Sequence, residues 1–217
     1  MILDKYKTII FDCDGVVLDS NRVKTDAFYK TVLPYGEESA KVFVDYHQSN
    51  GGVSRYEKFK YFLEEIVSQE LEGYRYDDLL GIYASEVLAG MLKCQVAPGL
   101  KELREKTAHT NWLIASGGDQ KELNKIFTNR ELLDLFDGGV FGSPDTKEFI
   151  FERELASHNI RTPALFLGDS KYDYLSAQTV EGIDFIFLSD WTEVCDWEKW
   201  AKENKISCIP RIGCILN

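Results

Sequence analysis

Two aspartates one residue apart, Asp12 and Asp14, stand at the end of the apolar run Ile9-Ile10-Phe11, and Gly15 follows them. Side chains alternate along an extended chain, so Asp12 and Asp14 start on a common face and Cys13 points away from them. Carboxylates paired at the open edge of a sheet can hold a hard cation and divide the work of nucleophile and acid/base. The competing reading is a strand that ends in a polar turn, since Asp and Gly are common turn residues. Cys13 has no histidine near it in sequence and reads as a small buried apolar residue.

Three later segments carry chemistry of the same kind. Ser116-Gly117-Gly118 combines a hydroxyl with an accessible backbone N–H just before a helix, where an anion is favoured. Alone it also fits a plain strand-to-helix turn. Lys147 follows Thr146 at a helix start, and Gly168-Asp169-Ser170-Lys171-Tyr172-Asp173 offers two more carboxylates. Within that last run Lys171 reads as surface.

These residues need a scaffold that brings distant segments to one edge. Buried strands are expected at Thr8–Phe11, Asn111–Ala115, Gly139–Phe141, Ala164–Leu167, Asp184–Leu188 and Ile206–Ile209. Helical patterns run over Val23–Leu33, Glu37–His47, Ser54–Ile66 and Tyr76–Leu92, with no strand among them. In the third, Tyr56, Phe59, Phe62, Leu63 and Ile66 recur at helical spacing as a packing stripe, with Ser54 as N-cap. Helices are also expected at Leu100–Lys106, Gln120–Phe127 (capped by Asp119), from Lys147 to about Ser157, Tyr172–Val180 and Trp191–Asn204. The expected architecture is α/β: a Rossmann-like parallel sheet core flanked by helices, with a helical cap domain inserted after the first strand. The core would comprise residues 1–18 and 93–217, and the insert residues 19–92.

Composition bounds the partners. A formal net charge of −11 argues against general affinity for nucleic acid or an anionic membrane. No apolar run is long enough to span a bilayer, and the first residues lack the apolar stretch of a signal peptide. Five cysteines without a CxxC pair argue against a disulfide framework or zinc site and predict a reducing cytoplasm. His47, His109 and His158 are scattered, with surface or satisfied structural roles as the default. Trp191, Trp197 and Trp200 are expected to pack on the core, and oligomeric state is not readable.

The order and spacing of Asp12-Cys13-Asp14, Ser116, Lys147 and Asp169 resemble the haloacid dehalogenase superfamily, in its capped phosphatase and β-phosphoglucomutase-like branch. The resemblance implies Asp12 as a nucleophile that forms an aspartyl-phosphate and Asp14 as general acid/base. It implies Mg²⁺ held by Asp12, Asp169 and the backbone carbonyl of Asp14, with Asp173 supporting the metal site or Lys147. Ser116, Gly117 and Lys147 would bind the transferring phosphoryl group. Gly52-Val53-Ser54-Arg55 resembles the cap loop of β-phosphoglucomutases, which would place Arg55 against the unreactive end of the substrate. Two departures favour hydrolysis over transfer to a sugar: Lys24 stands where those mutases carry a histidine, and Asp169-Ser170 replaces an acidic pair. The expected activity is therefore Mg²⁺-dependent hydrolysis of a small phosphorylated metabolite: a sugar phosphate, a sugar-acid phosphate or a phosphoglycolate-like ester. A phosphomutase and a non-catalytic binding module are the alternatives; Asp14 argues against a dehalogenase.

Overall fold

The structure is a computed structural model that describes residues 2–67 and 75–216. Six strands form one parallel sheet: β1 (Thr8–Phe11), β2 (Asn111–Asp119), β3 (Val140–Ser143), β4 (Ala164–Gly168), β5 (Ile183–Leu188) and β6 (Ser207–Ile209). Their order is β3-β2-β1-β4-β5-β6. β1 lies between β2 and β4, so successive connections leave it on opposite sides and open a crevice at its C-terminal end. Ile10, Leu113, Ala115 and Phe166 face one side of the sheet, where α7 (Lys147–Ala156) and α8 (Lys171–Gln178) supply Ile150, Phe151 and Ala177. The alternating set Ile9, Phe11, Trp112, Ile114, Leu165 and Leu167 faces the other. There α5 (Leu100–Lys106) and α6 (Gln120–Asn129) supply Leu103, Leu123 and Phe127. Both faces are covered, which is why these strands read as apolar runs and not as alternating ones.

Between β1 and β2 the chain forms α1 (Asn21–Val32), α2 (Glu37–Ser49), α3 (Arg55–Tyr61) and α4 (Tyr76–Met91). They pack around aromatic rings: Phe28 meets Phe43, Phe59 and Tyr83 at centroid distances of 5.4, 5.3 and 4.2 Å. The two crossings into this segment are tied together. Asp19 N–H donates to the Gln95 carbonyl and Ala97 N–H to that of Val17, both at 2.9 Å. Among the described residues no helix is long and apolar enough to cross a membrane.

Three local expectations change. The Ser54–Ile66 pattern is helical only to Tyr61 and continues as a wide π-type turn over Phe62–Ile66, closed by Val67 N–H on the Phe62 carbonyl. β2 runs on through Ser116-Gly117-Gly118 to Asp119, because Ser143 of β3 pairs with Asp119 and donates its hydroxyl to the Gly117 carbonyl at 2.8 Å. Of Trp191–Asn204, only Trp197–Glu203 (α9) is helical. Trp191–Asp196 is drawn into an irregular wall of the site by hydrogen bonds described below. Trp197 stacks on Phe187, and Trp200 meets Tyr174 and Phe187 edge-on, as packing on the core requires.

Candidate active site

Register brings the key residues together. Phe11 pairs with Ile114 on one side and Leu167 on the other, so the residues just after these three positions emerge at one level. Asp12 extends the ladder by one bond, its N–H donating to the Leu167 carbonyl at 2.9 Å. The strand stops there. Cys13 and Asp14 belong to a tight loop, in which the Cys13 carbonyl accepts from Val17 and Leu18. Asp12 and Asp14 do line one cavity, but the loop turns them there, and strand alternation does not. Gly15 makes the loop possible: its φ is +73°, and a Cβ would lie 2.0 Å from Asp169 Oδ2. Cys13 is buried in the apolar core.

Carboxylate oxygens of Asp12, Asp169 and Asp173 lie within 4.8 Å of one another, all buried. Asp12 Oδ1 accepts from the Cys13 N–H at 2.7 Å and from Lys147 Nζ at 3.1 Å. Its Oδ2 accepts no hydrogen bond among the described residues. Asp169 Oδ2 accepts from Asn21 Nδ2 at 2.6 Å, and Thr192 Oγ1 donates to the Asp169 carbonyl at 2.6 Å. Asp173 is held by its own helix start: its Oδ2 accepts from the N–H groups of Asp169 and Ser170 and from Ser170 Oγ. Asp173 N–H in turn donates to Ser170 Oγ, a capping box that the Ser-x-x-Asp spacing encodes. Lys147, 1% exposed, bridges Asp12 and Asp173.

Burial and the neighbouring Asp173 and Asp14 charges push the Asp12 carboxyl up to about 7, against the pull of Lys147. Burial, with the charges of Asp173 and Asp12, likewise raises Asp169 well above the carboxylate range. Two buried carboxylates strained toward protonation, with all-oxygen donors, suit a small hard dication, which would relieve both. Burial would lower Lys147, but Asp12 and Asp173 outweigh it and hold the ammonium above its usual range. Lys147→Met is expected to destabilise the fold by about 3–5 kcal/mol in EDTA at pH 8, read from the urea midpoint, because it strands two buried carboxylates. A loss below about 1 kcal/mol would show that the pair does not need its cation.

Asp14 stands apart from that triad. Its Oδ1 accepts from Ser20 Oγ at 2.6 Å and its Oδ2 from Lys24 of α1. Burial would raise its carboxyl, but the Lys24 ammonium and the Ser20 hydroxyl prevail and hold it below the usual range. Lys24 is thus a site residue that the sequence marks only as a departure. Ser116 Oγ accepts from Gly118 N–H at 3.0 Å, and its own hydrogen has no acceptor among the described residues. Ser116 and Lys147 line a second cavity, which shares Gly52, Val53 and Gly117 with the first. Lys171 pairs with Asp196 at the surface, as expected.

Arg55 reaches the first cavity, but its guanidinium is committed. It makes a two-pronged pair with Glu122 of α6, at 2.9 and 2.6 Å, and lies over the Tyr83 ring. Tyr56 donates to Asp119 Oδ2 at 2.6 Å beside it. These bonds fasten α3 to the start of α6, and between them the Gly52 carbonyl presses on Gly117. Sequence reading missed Asn21, Lys24, Lys58, Thr192 and Glu193, all of which line the first cavity. For Lys58 a signal existed: it shares a helix face with Arg55 and Phe62, where a solvated lysine is out of place.

Solved structures with this fold cover nearly the whole chain. A haloacid dehalogenase-like hydrolase, SP0104 from Streptococcus pneumoniae, is 22% identical with a TM-score of 0.68, covering 98% of this chain and 97% of its own. A candidate phosphoglycolate phosphatase from Lactobacillus plantarum is 18% identical with a TM-score of 0.73, covering 98% of each chain. CbbY from Rhodobacter sphaeroides, solved as a mutant in complex with xylulose 1,5-bisphosphate, is 18% identical with a TM-score of 0.63, covering 85% and 86%. At these identities the likeness establishes the fold. No curated protein matches the chain. The family model for haloacid dehalogenase-like hydrolases matches residues 6–180, a span that starts just before β1, ends just after α8 and takes in Asp12, Ser116, Lys147 and Asp169; the chain belongs to that family.

Proposed function

We propose that the protein is a magnesium-dependent phosphatase that hydrolyses a small phosphomonoester in two in-line steps at Asp12. The observation that carries this reading is the convergence of Asp12, Asp169 and Asp14 on one cavity at the crevice beside β1, with Lys147 paired to Asp12. In the first step Asp12 Oδ2 attacks phosphorus, the bond to the leaving alkoxide breaks, and Asp14 protonates that oxygen. In the second, Asp14 takes a proton from water, whose oxygen attacks the same phosphorus, releasing orthophosphate and restoring Asp12. The dianionic substrate raises Asp14 toward its acid form for the first step. Once the alkoxide has left, the Lys24 pair favours the carboxylate that the second step needs.

Ser116 Oγ–H and the Gly117 N–H would bind the phosphoryl oxygens while Lys147 offsets their charge and orients Asp12. Magnesium, held by Asp12, Asp169 and the Asp14 backbone carbonyl, would neutralise charge on the phosphoryl group as Asp12 approaches. Asp173 serves by holding Lys147. Residues 19–92 act as a cap over the core of residues 1–18 and 93–217. Arg55–Glu122 and Tyr56–Asp119 support a closed state that limits water at the site. The cavity, about 60 Å³ as space open to a water's centre, admits only a small ester; the sugar-phosphate and organic-acid-phosphate classes follow from the family resemblance.

Phosphate release from a panel of sugar and organic-acid phosphates tests this. Release is expected with magnesium and is lost in EDTA. Interconversion of a sugar 1-phosphate and 6-phosphate without net release would make the protein a mutase. No turnover of any ester would make it a binding module.

A further inference from the structure

Three basic side chains of the helical segment line the first cavity: Lys24, Arg55 and Lys58. Two are neutralised in place, Lys24 by Asp14 and Arg55 by Glu122. Lys58, 2% exposed, is not. Its Nζ lies 2.7 Å from His47 Nδ1 and 3.4 Å from the His47 carbonyl, and no carboxylate of the described residues is within ion-pair contact. The hydrogen bonds around it run in one direction. Thr25 gives its single hydroxyl hydrogen to Glu193 Oε2 at 2.7 Å, so at its 3.1 Å contact with His47 Nε2 the ring must donate. His47 Nδ1 is then the acceptor, and Lys58 donates to it. With the His47 carbonyl as second acceptor, the third ammonium hydrogen has no hydrogen-bond acceptor among the described residues, and the Phe28 ring, its centroid 5.6 Å from the nitrogen, adds no opposite charge. A neutral imidazole and a carbonyl hold Lys58 in position without cancelling its charge.

We infer that Lys58 is the binding group for a second anionic centre, carboxylate or phosphate, at the end of the substrate remote from the reacting phosphorus. The inference rests on the phosphatase reading and gives the substrate class: a phosphomonoester with a second negative charge. It transfers to Lys58 the role that the cap-loop resemblance suggested for Arg55, whose nitrogens are spent on Glu122. The chain His47–Thr25–Glu193 runs through α2 and α1 to the irregular segment after β5, so the subsite is positioned from both sides of the cavity. Two further facts agree. Burial, and then the Lys24 charge, lower the Lys58 ammonium to about 7 against the opposing pull of the Asp14 and Glu193 carboxylates, so a bound anion would stabilise its charged form. A buried cation with no opposite charge beside it destabilises the fold, the mark of a group kept for binding.

Two matched substrate pairs test the assignment with magnesium present. They are 2-phosphoglycolate against 2-hydroxyethyl phosphate, for a carboxylate, and ribulose 1,5-bisphosphate against ribulose 5-phosphate, for a phosphate. The wild type is expected to prefer the anionic member of one pair, which identifies the anion. In Lys58→Met that ratio of kcat/KM falls by about tenfold or more, the scale of one charged hydrogen bond, and Lys58→Arg restores part of it. The thermal midpoint of Lys58→Met without substrate stays equal or rises; a structural lysine would lower it. Hydrolysis with no preference in either pair, a ratio unchanged in Lys58→Met, or a Lys58→Met protein that fails to fold overturns the subsite and leaves the phosphatase reading standing. No hydrolysis of any of the four esters overturns both.

Discussion

Asp12→Asn is expected to lower kcat by about 10⁴-fold or more, as when a covalent nucleophile is removed, while the fold persists. An amide is close in shape to the carboxylate, so the Cys13 N–H and Lys147 can still find the oxygen that takes the place of Oδ1. The atom in the place of Oδ2, however, becomes an amide nitrogen with no nucleophilic lone pair. Phosphate release under saturating substrate measures the loss. Stability separates chemistry from unfolding. The Asp12 carboxyl is raised from 3.8 to about 7 in the folded protein, so between those values the folded state binds more protons than the unfolded one. In EDTA, wild-type stability therefore contains a contribution that falls as pH rises from about 4 to about 7. Asp12→Asn removes that contribution, so its urea midpoint should decline less over the same range. Residual activity within about tenfold of wild type would require another nucleophile and sink the two-step reading.

The second large effect is expected at Gly117. A Cβ built there would lie 2.1 Å from the Gly52 carbonyl oxygen and 2.9 Å from its carbon, both backbone atoms. Gly117→Ala must therefore drive the Gly51–Ser54 loop off the sheet edge by more than about 1 Å, and misplacement of that size costs on the order of 10²-fold in rate. The displacement also pulls Arg55 from Glu122 and Tyr56 from Asp119, which undoes the fastening of α3. Gly118→Ala is the control: the atoms nearest its Cβ would be those of the Leu123 side chain, at 3.3 Å or more, and a leucine can yield. The measurement is kcat/KM of both variants on one ester. Equal losses would show that the effect comes from the backbone of the motif and not from contact with the Gly52 loop.

What is legible in the chain and what is not divide along a physical line. β1 and β4 are legible because strands buried on both faces must be apolar throughout. The bounds of α5 fall where expected, between Gly99 and Thr107. Asp12 and Asp169 are legible as candidates because carboxylates at the ends of such strands have few purely structural reasons to be there, whereas Asp173 sits in the first turn of α8, where the Ser-x-x-Asp spacing already gives it a capping role. Trp191–Asp196 reads as helix because its residues suit one. The structure instead uses the Thr192 hydroxyl on the Asp169 carbonyl and the Trp191 carbonyl to receive Asn21. Tyr56 belongs to a packing stripe by spacing, yet its hydroxyl reaches Asp119.

The parallel sheet, the helical segment inserted after β1 and the carboxylates of the site are written in the chain itself, because periodicity and strand-end chemistry are local properties. Which charges are cancelled is settled only by folding. Lys24, Arg55 and Lys58 are equally basic along the chain, and only the fold sets Asp14 against the first, Glu122 against the second and a neutral histidine against the third. The state of a buried charge depends on what faces it across the cavity, and those partners come from residues 10 to 67 positions away.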